Sequence, residues 1–267
     1  MPQHDALADD IRAYWDERAT SYSRGVLAEL GDGRHHVWRD VLARITSSCR
    51  ADAQASGKRA RALDVGCGPG FFSILLAELG CAVVGVDGSE RMLAKAQANA
   101  QATVPTADVT FEQTDFARLP FADESFDIVI SRNVTWLMRT PEATYAEWLR
   151  VLRPGGKLVV FDANWYRYLV DEEIDAQRRA DQAKGEIEEW DEDSRATDDE
   201  ERRCEELASG LPLTPVLRPA WDLDTLPALG ATSVTADELA WQTLWTAGEQ
   251  RFYASSPLFM IEATKGA

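Results

Sequence analysis

Ala62-Leu-Asp-Val-Gly-Cys-Gly-Pro-Gly-Phe-Phe72 joins a short apolar run to a helix-prone one through glycines at 66, 68 and 70. Without a Cβ, glycine lets a backbone turn tightly and pass close to a ligand, and the amide groups opening the next helix face that ligand. The stretch therefore reads as a buried strand, a binding loop and a helix. Outward from it the same alternation repeats. Residues 82–86 are strand-like and 90–102 helical; 108–111 and 126–130 are strand-like, 141–152 helical and 157–161 strand-like again. Strands alternating with helices make βαβ units, hence an α/β fold with a mostly parallel sheet. Gly80, Gly88, Pro154, Gly155 and Gly156 fall where turns are needed.

The ends of these strands carry the chemistry. The second ends at Asp87, 17 residues beyond Gly70, where a carboxylate can accept from both hydroxyls of a ribose. The third ends at Asp115-Phe116, the fourth at Ser131-Arg132-Asn133 and the fifth at Asp162-Ala163-Asn164-Trp165. Ligands of open α/β sheets bind beyond the carboxyl ends of the strands, so five polar or glycine-bearing ends describe one site. Two helices precede the sheet. In the first, Ile11, Tyr14, Trp15, Arg18 and Tyr22 recur at helical spacing behind Asp9 or Asp10, and the second covers 35–48. Near the carboxyl end, 221–229 reads as helix, 231–238 as extended and 258–263 as a last strand, with no internal repeat.

Composition narrows the function. Of 267 residues, 45% are hydrophobic and 27% charged, enough apolar surface for a full core, and the formal charge is −17. That sign is wrong for neutralising phosphates, and no Lys/Arg run offers a local basic patch, so no nucleic-acid partner is expected. Residues 171–206 hold 17 Asp and Glu against 6 Lys and Arg, a net of −11. They are poor in large apolar side chains apart from Ile174, Ile187 and Trp190, and read as an exposed helical insertion, either a solvated face or a lid. Cys49, Cys67, Cys81 and Cys204 lie too far apart for a zinc site or a disulfide scaffold, so no metal is expected and a reducing compartment is. The first residues lack the basic and apolar regions of a leader, and no apolar run is long enough to span a membrane; a soluble, cytoplasmic protein is expected.

Leu63-Asp-Val-Gly-Cys-Gly-Pro-Gly, Val86-Asp-Gly-Ser, Gln113-Thr-Asp-Phe, Phe126-Asp-Ile-Val and Leu152-Arg-Pro-Gly-Gly, in that order and spacing, resemble the class I S-adenosylmethionine-dependent methyltransferases of the quinone-biosynthesis type. Tyr14-Trp-Asp-Glu-Arg-Ala-Thr-Ser-Tyr22 is similar to the amino-terminal helix of that group. The resemblance implies a doubly wound, mostly parallel seven-stranded sheet of the Rossmann-like methyltransferase kind. It also implies an amino-terminal helical cap over 1–58, a cofactor domain over 59–164 and 219–267, and a helical insertion after the fifth strand over 165–218. S-adenosylmethionine is the implied cofactor, S-adenosylhomocysteine its product, and a small molecule the acceptor. The Gly66, Cys67, Gly68 and Gly70 loop would pack on the methionine part and Asp64 would hold its amino group. Asp87 would take the ribose hydroxyls, and Gly88 and Met92 would line the adenine. Asp115 would accept from the adenine amino group, the Phe116 amide would reach a ring nitrogen, and Ser131, Arg132 and Asn133 would face the methionine end.

Other roles remain open at several of these positions. Asp64 can cap the loop, Met92 can be helix core, and Cys67 fits a space-filler better than a nucleophile. The Leu152-Arg-Pro-Gly-Gly turn ends a helix and launches the fifth strand. A sulfonium leaves readily, so methyl transfer asks chiefly for alignment and exclusion of water. Should the acceptor arrive protonated, the candidate bases are Asp162, His35, His36 and Tyr22, the two histidines fitting a surface position better. Tyr14, Trp15, Tyr22, Trp136, Trp165 and Tyr166 are candidate walls of the acceptor pocket, with Arg18 and Asn164, or else pack lid against sheet. Arg18, Arg132 and Arg167 point to an acceptor carboxylate. Exchanging Asn164 or Trp136 is expected to alter acceptor turnover more than cofactor affinity. Two other functions fit the residues: a dinucleotide-dependent oxidoreductase, disfavoured by Gly-x-Gly-x-Gly in place of Gly-x-Gly-x-x-Gly, and a non-catalytic cofactor-binding protein that offers the acidic insertion to a partner. The oligomeric state has no signature in the sequence.

Overall fold

A computed structural model describes residues 6–185 and 192–267. In chain order these form α1 (Ala6–Gly31), α2 (Arg34–Ile45), α3 (Ser47–Ala55), β1 (Arg61–Val65), α4 (Phe71–Glu78), β2 (Ala82–Asp87), α5 (Glu90–Thr103), β3 (Val109–Gln113) and β4 (Phe126–Arg132). There follow α6 (Pro141–Val151), β5 (Leu152–Asp162), α7 (Glu172–Gln182), α8 (Asp198–Ser209), α9 (Ala220–Ala228), β6 (Ala231–Asp237), α10 (Ala240–Leu244), α11 (Ala247–Phe252) and β7 (Phe259–Lys265). The seven strands make one sheet in the order β3-β2-β1-β4-β5-β7-β6, parallel from β3 to β5, with β7 antiparallel to both its neighbours. The order reverses between β1 and β4, and at such a switch point the loops leave the sheet in opposite directions and open a crevice.

Side-chain alternation along the central strands supplies both faces with core. Ile128, Ile130, Val159 and Phe161 turn to one side, where they meet Trp38 and Leu42 of α2 and Phe72, Leu75 and Leu76 of α4. Val129, Leu158 and Val160 turn to the other, against Tyr145, Trp148 and Leu149 of α6, Leu226 of α9 and Phe259 of β7. Trp38, Tyr145 and Trp148 are wholly inaccessible to solvent, and packing on both faces explains why these strands read as unbroken apolar runs.

The expected second helix is two, broken at Thr46. The Thr46 hydroxyl donates to the Leu42 carbonyl at 2.7 Å and that of Ser47 to Arg44 at 2.8 Å, the local bonds by which a Thr-Ser-Ser run competes with helix continuation. The fifth strand starts at Leu152 rather than 157, with a register shift between Phe126 and Ile128 of its neighbour; a Cβ at Gly156 would meet the Arg153 and Asp127 carbonyls at 2.9 and 3.0 Å. Helices α10 and α11, which lie between the last two strands, were not expected from periodicity.

The acidic segment is helical where described, and Ile187 and Trp190 lie outside the described residues. Asp171 caps α7 by accepting from the Ile174 amide, and Thr197 and Glu200 form a reciprocal capping box on α8. Much of the acidity follows from helix starts. Glu172, Glu173 and Asp175 open α7, and Asp198, Asp199, Glu200 and Glu201 open α8, where free amides and the helix dipole favour negative charge. One face of α8 is apolar, and its Cys204 and Ala208 are buried with Ile11 and Tyr14 of α1. Arg18–Glu200, Arg24–Asp193 and Arg203–Glu17 ion pairs join the same helix to the insertion.

Candidate functional site

The loop after β1 is shaped by conformations that only glycine holds easily. Gly66 has φ +65°, and a Cβ there would fall 2.4 Å from a methyl of Val134; Gly68 has φ +50°, and its amide donates to Asp87 Oδ2 at 2.9 Å. The second oxygen of Asp87 accepts from the Ser89 amide at 2.8 Å. Both partners are neutral, and burial pushes the Asp87 carboxyl up to about 6 against the pull of these amides. Asp64 lies deeper, 2% exposed, and accepts from the Ser73 hydroxyl at 2.7 Å; burial pushes its carboxyl up to about 7. Cys67 is buried inside the loop with its thiol pushed well up by burial, the reverse of what a nucleophile needs. Gly70 is the N-cap residue of α4.

At the end of β4, Asn133 adopts φ +58°, a left-handed conformation that asparagine tolerates better than most residues. Its amide donates to the Phe161 carbonyl at 2.8 Å and its carbonyl accepts from the Trp136 indole at 3.0 Å, so the backbone is held on both sides. The side-chain Oδ1 is buried without a hydrogen-bond partner among the described residues. The Arg132 guanidinium donates to both oxygens of Glu29, at 2.9 and 3.0 Å, and lies over the rings of Trp38 and Phe71 at 4.5 and 4.6 Å.

A cleft of about 380 Å³ opens over these strand ends, within the range of small-molecule sites. Its floor is Gly66 and Gly68; Asp87, Gly88 and Met92 form one side; Asp115 and Phe116 form another; and Arg132 and Asn133 stand opposite. Helix α1 roofs it with Ile11, Arg12, Trp15 and Tyr22. Asp16 fastens that roof by accepting from the Ser89 hydroxyl at 2.6 Å and the Arg91 amide at 3.2 Å, and Asn99 reaches Ser23 at 3.2 Å and the Pro69 carbonyl at 3.0 Å. Asp115 is partly spoken for, with Oδ1 on the Ala117 amide at 2.9 Å and Oδ2 on Arg139.

Several residues singled out in the sequence lie elsewhere. Ser131 is buried below the cleft, donating to the Val65 carbonyl at 3.0 Å. Tyr14 and Trp136 are in the cluster between α1 and α8, where the Tyr166 ring lies tilted against Trp136 with centroids 4.6 Å apart and its hydroxyl meets Cys204 Sγ at 2.9 Å. Arg18, 6% exposed, donates to the Arg195 carbonyl at 3.1 Å and pairs with Glu200, and Arg167 holds the Pro215 carbonyl and Asp171. Neither arginine lines the cleft. Asn164 spends its amide on the Arg218 backbone, Nδ2 to the carbonyl at 2.8 Å and Oδ1 from the amide at 3.1 Å. Asp162 is fully buried and accepts from the Trp136 and Ala163 amides, the Thr135 hydroxyl, the Trp165 indole and Arg218. With five donors around it, no face is left to take an acceptor's proton. His35 pairs with Glu78 at 2.8 Å and its ring lies against that of His36 on α2, outside the cleft. Of the candidate bases only Tyr22 lines the cleft, and burial raises its hydroxyl, so it stays protonated.

Asp16, Glu29, Ser89, Leu137 and Arg139 belong to the site and were not singled out in the sequence. Ser89 carried a detectable signal as a helix N-cap before Glu90, but the others are brought in by tertiary packing.

Residues 63–160 match the methyltransferase domain family. The ubiquinone/menaquinone biosynthesis C-methyltransferase of Bdellovibrio bacteriovorus is 31% identical over 167 residues, 61% of this chain and 65% of that protein. A demethylmenaquinone methyltransferase of Clavibacter sepedonicus is 36% identical over 154 residues, 56% of each chain. The chain spans about half the length of several curated relatives it matches. The solved phosphoethanolamine N-methyltransferase 2 of Haemonchus contortus, in complex with S-adenosyl-L-methionine, is similar in fold with a TM-score of 0.59 at 16% identity, over 96% of this chain and 60% of that one. The seven-stranded sheet with its switch-point cleft is thus shared with a structure solved with S-adenosyl-L-methionine, and the segment that carries the glycine loop and the first four strand ends, residues 63–160, matches the methyltransferase domain family.

Proposed function

We propose that the protein transfers a methyl group from S-adenosylmethionine to a small-molecule acceptor held beside the cleft. The observation that carries this reading is Asn133, a residue in a left-handed conformation, fixed through both backbone groups, whose buried Oδ1 has no partner among the described residues. An orphaned acceptor of this kind is costly unless a ligand donor meets it. The donor set suits the cofactor along its whole length. Asp87 offers the lone pairs left over by its two amides to the ribose hydroxyls. Met92, Phe116 and Leu137 supply an apolar slot for adenine, and Asp115 an acceptor at its edge. The ammonium of the methionine part would face Asn133 and Asp64, and Arg132 its carboxylate.

S-adenosylmethionine held here would supply an electrophilic methyl on a sulfonium, whose leaving group is a neutral thioether that keeps the bonding pair and needs no protonation. The chain's own residues contribute alignment and a dry environment. Trp15 and Tyr22, edge to face at 5.5 Å, close the roof, and Asp16 ties it to α5. No side chain needs to serve as a base if the acceptor reacts through a neutral nucleophile and then releases its proton to water.

Calorimetry with S-adenosylhomocysteine and with NADH tests the reading. Saturable binding of the first and none of the second is expected, followed by methylated product when S-adenosylmethionine is supplied with a pooled acceptor library. Binding of NADH alone would overturn it.

A further inference from the structure

The adenine end proposed for the cleft is bounded by two segments distant in sequence: the turn after β3, which carries Asp115 and Phe116, and the loop after β4, which carries Leu137 and Arg139. The turn is held firmly through its backbone. The Thr114 amide donates to the Asp87 carbonyl at 3.1 Å, the Arg118 amide to the Asp115 carbonyl at 2.9 Å, and the Trp148 indole to the Phe116 carbonyl at 2.8 Å. The Asp115 side chain is the part with a choice of direction: it is 47% exposed, and rotation about χ1 would carry it out into water. Two donors hold it instead. The Ala117 amide takes Oδ1 at 2.9 Å, and the Arg139 guanidinium, 24 residues further along the chain, takes Oδ2. The Arg139 side chain is itself only 18% exposed, and its ion pair joins the two segments that flank the slot between Phe116 and Leu137.

Resting on the methyltransferase reading above, we propose that Arg139 is a positioning residue for the cofactor's base: by fixing the Asp115 carboxylate it makes the cleft select a 6-aminopurine over a 6-oxopurine. A carboxylate has more lone pairs than these two donors use, and those left over accept from the amino group of adenine. A 6-oxopurine sets a carbonyl oxygen at the same place, acceptor against acceptor, and its one new donor is the ring N–H beside that oxygen. A mobile carboxylate turns to the N–H and recovers a hydrogen bond. A carboxylate clamped at both oxygens cannot turn, so the mismatch keeps its full cost.

Calorimetry with S-adenosylhomocysteine and S-inosylhomocysteine, which differ only in this amino group and its replacement by a carbonyl with a ring N–H, reads the selection directly. The wild type is expected to prefer the first by at least about thirtyfold. Arg139→Met should narrow that ratio by about fivefold or more at an unchanged melting temperature, and Arg139→Lys, which keeps a cation on Asp115, should hold most of it. In an Asp115→Asn background Arg139→Met should narrow the ratio no further, because the arginine acts through the carboxylate. Arg139→Gln, closer in shape to arginine, carries the same expectation as the methionine variant should that one fold poorly. A wild type indifferent to the exchange, or Arg139 variants that weaken both ligands alike and leave their ratio intact, overturns the proposal. Failure of S-adenosylhomocysteine itself to bind the wild type is a different result and counts against the methyltransferase reading of the cleft.

Discussion

Asp64 and Asp87 are buried carboxyls whose hydrogen-bond partners are all neutral, and their protonation is coupled to the stability of the fold and to ligand binding. In the folded protein burial raises Asp64 from 3.8 to about 7 and Asp87 from 3.8 to about 6. A folded state that holds protons the unfolded chain has released loses stability as pH rises, here between about pH 4 and about pH 7. Replacing Asp64 by Asn removes this dependence. In urea titrations without ligand, the stability of Asp64→Asn relative to wild type should therefore increase from pH 5 to pH 8, and a flat or falling difference would contradict the buried, unpaired carboxyl. Asp87→Asn is expected to weaken S-adenosylhomocysteine binding by about tenfold or more, since it removes a charged acceptor, while thermal stability is maintained. Gly66 answers to sterics alone. Alanine there requires both a left-handed backbone and movement of Val134, so Gly66→Ala should cost on the order of 3 kcal/mol in denaturant unfolding.

Helix α1 and the acidic insertion are one structural unit at the level of elements. Acids cluster at the starts of α7 and α8 because the free amides of a helix start favour them, and the arginines of α1 use that charge to hold the insertion in place. Arg18 is the most buried of these contacts, and losing it removes the bonds that run from α1 to the carbonyls of Ser194 and Arg195 and to Glu200. Arg18→Met should accelerate trypsin cleavage within residues 171–206 several-fold, monitored by mass spectrometry of limited digests, and salt should accelerate it in the wild type because partly exposed ion pairs are screened. Equal cleavage in both proteins would show that the apolar face of α8 suffices. Helical periodicity located α1, but its reading of Arg18 as a substrate ligand overlooked the insertion 177 residues further along the chain.

Across the whole molecule, β5 is joined to α6 and α9 by a polar network sealed inside the apolar core. Arg218, 3% exposed, binds both oxygens of Asp222 at 2.7 and 2.9 Å, the Tyr145 hydroxyl at 3.1 Å and the Thr135 hydroxyl at 2.6 Å, and lies over Phe259 at 5.1 Å. Arg218→Met strands Asp162 and Asp222 without a cation and should cost about 3 to 5 kcal/mol, a fall in Tm on the order of 10 °C by calorimetry. A much smaller fall would mean that the two acids take up protons instead. Asp162 looked like a candidate base because it ends a strand beside a ligand crevice, and it proves to be one corner of this network. The seven strands, the parallel pairing of the first five and the strand ends that line the cleft could be read from the chain because they rest on local physics. Periodicity of two or 3.6, glycine where the backbone must be left-handed, and an acid at a strand end are all written within a few residues of each other. The roles of Arg18, Arg132, Asn164 and Asp162 could not be read in that way. A charged or amide side chain is defined by its partner, and Glu29, Glu200 and Arg218 come from segments that only folding brings near. Sequence by itself determined the fold and which strand ends line its switch-point cleft; tertiary structure alone decided which charges there are paired and with what, because ion pairing depends on distance in space and not along the chain.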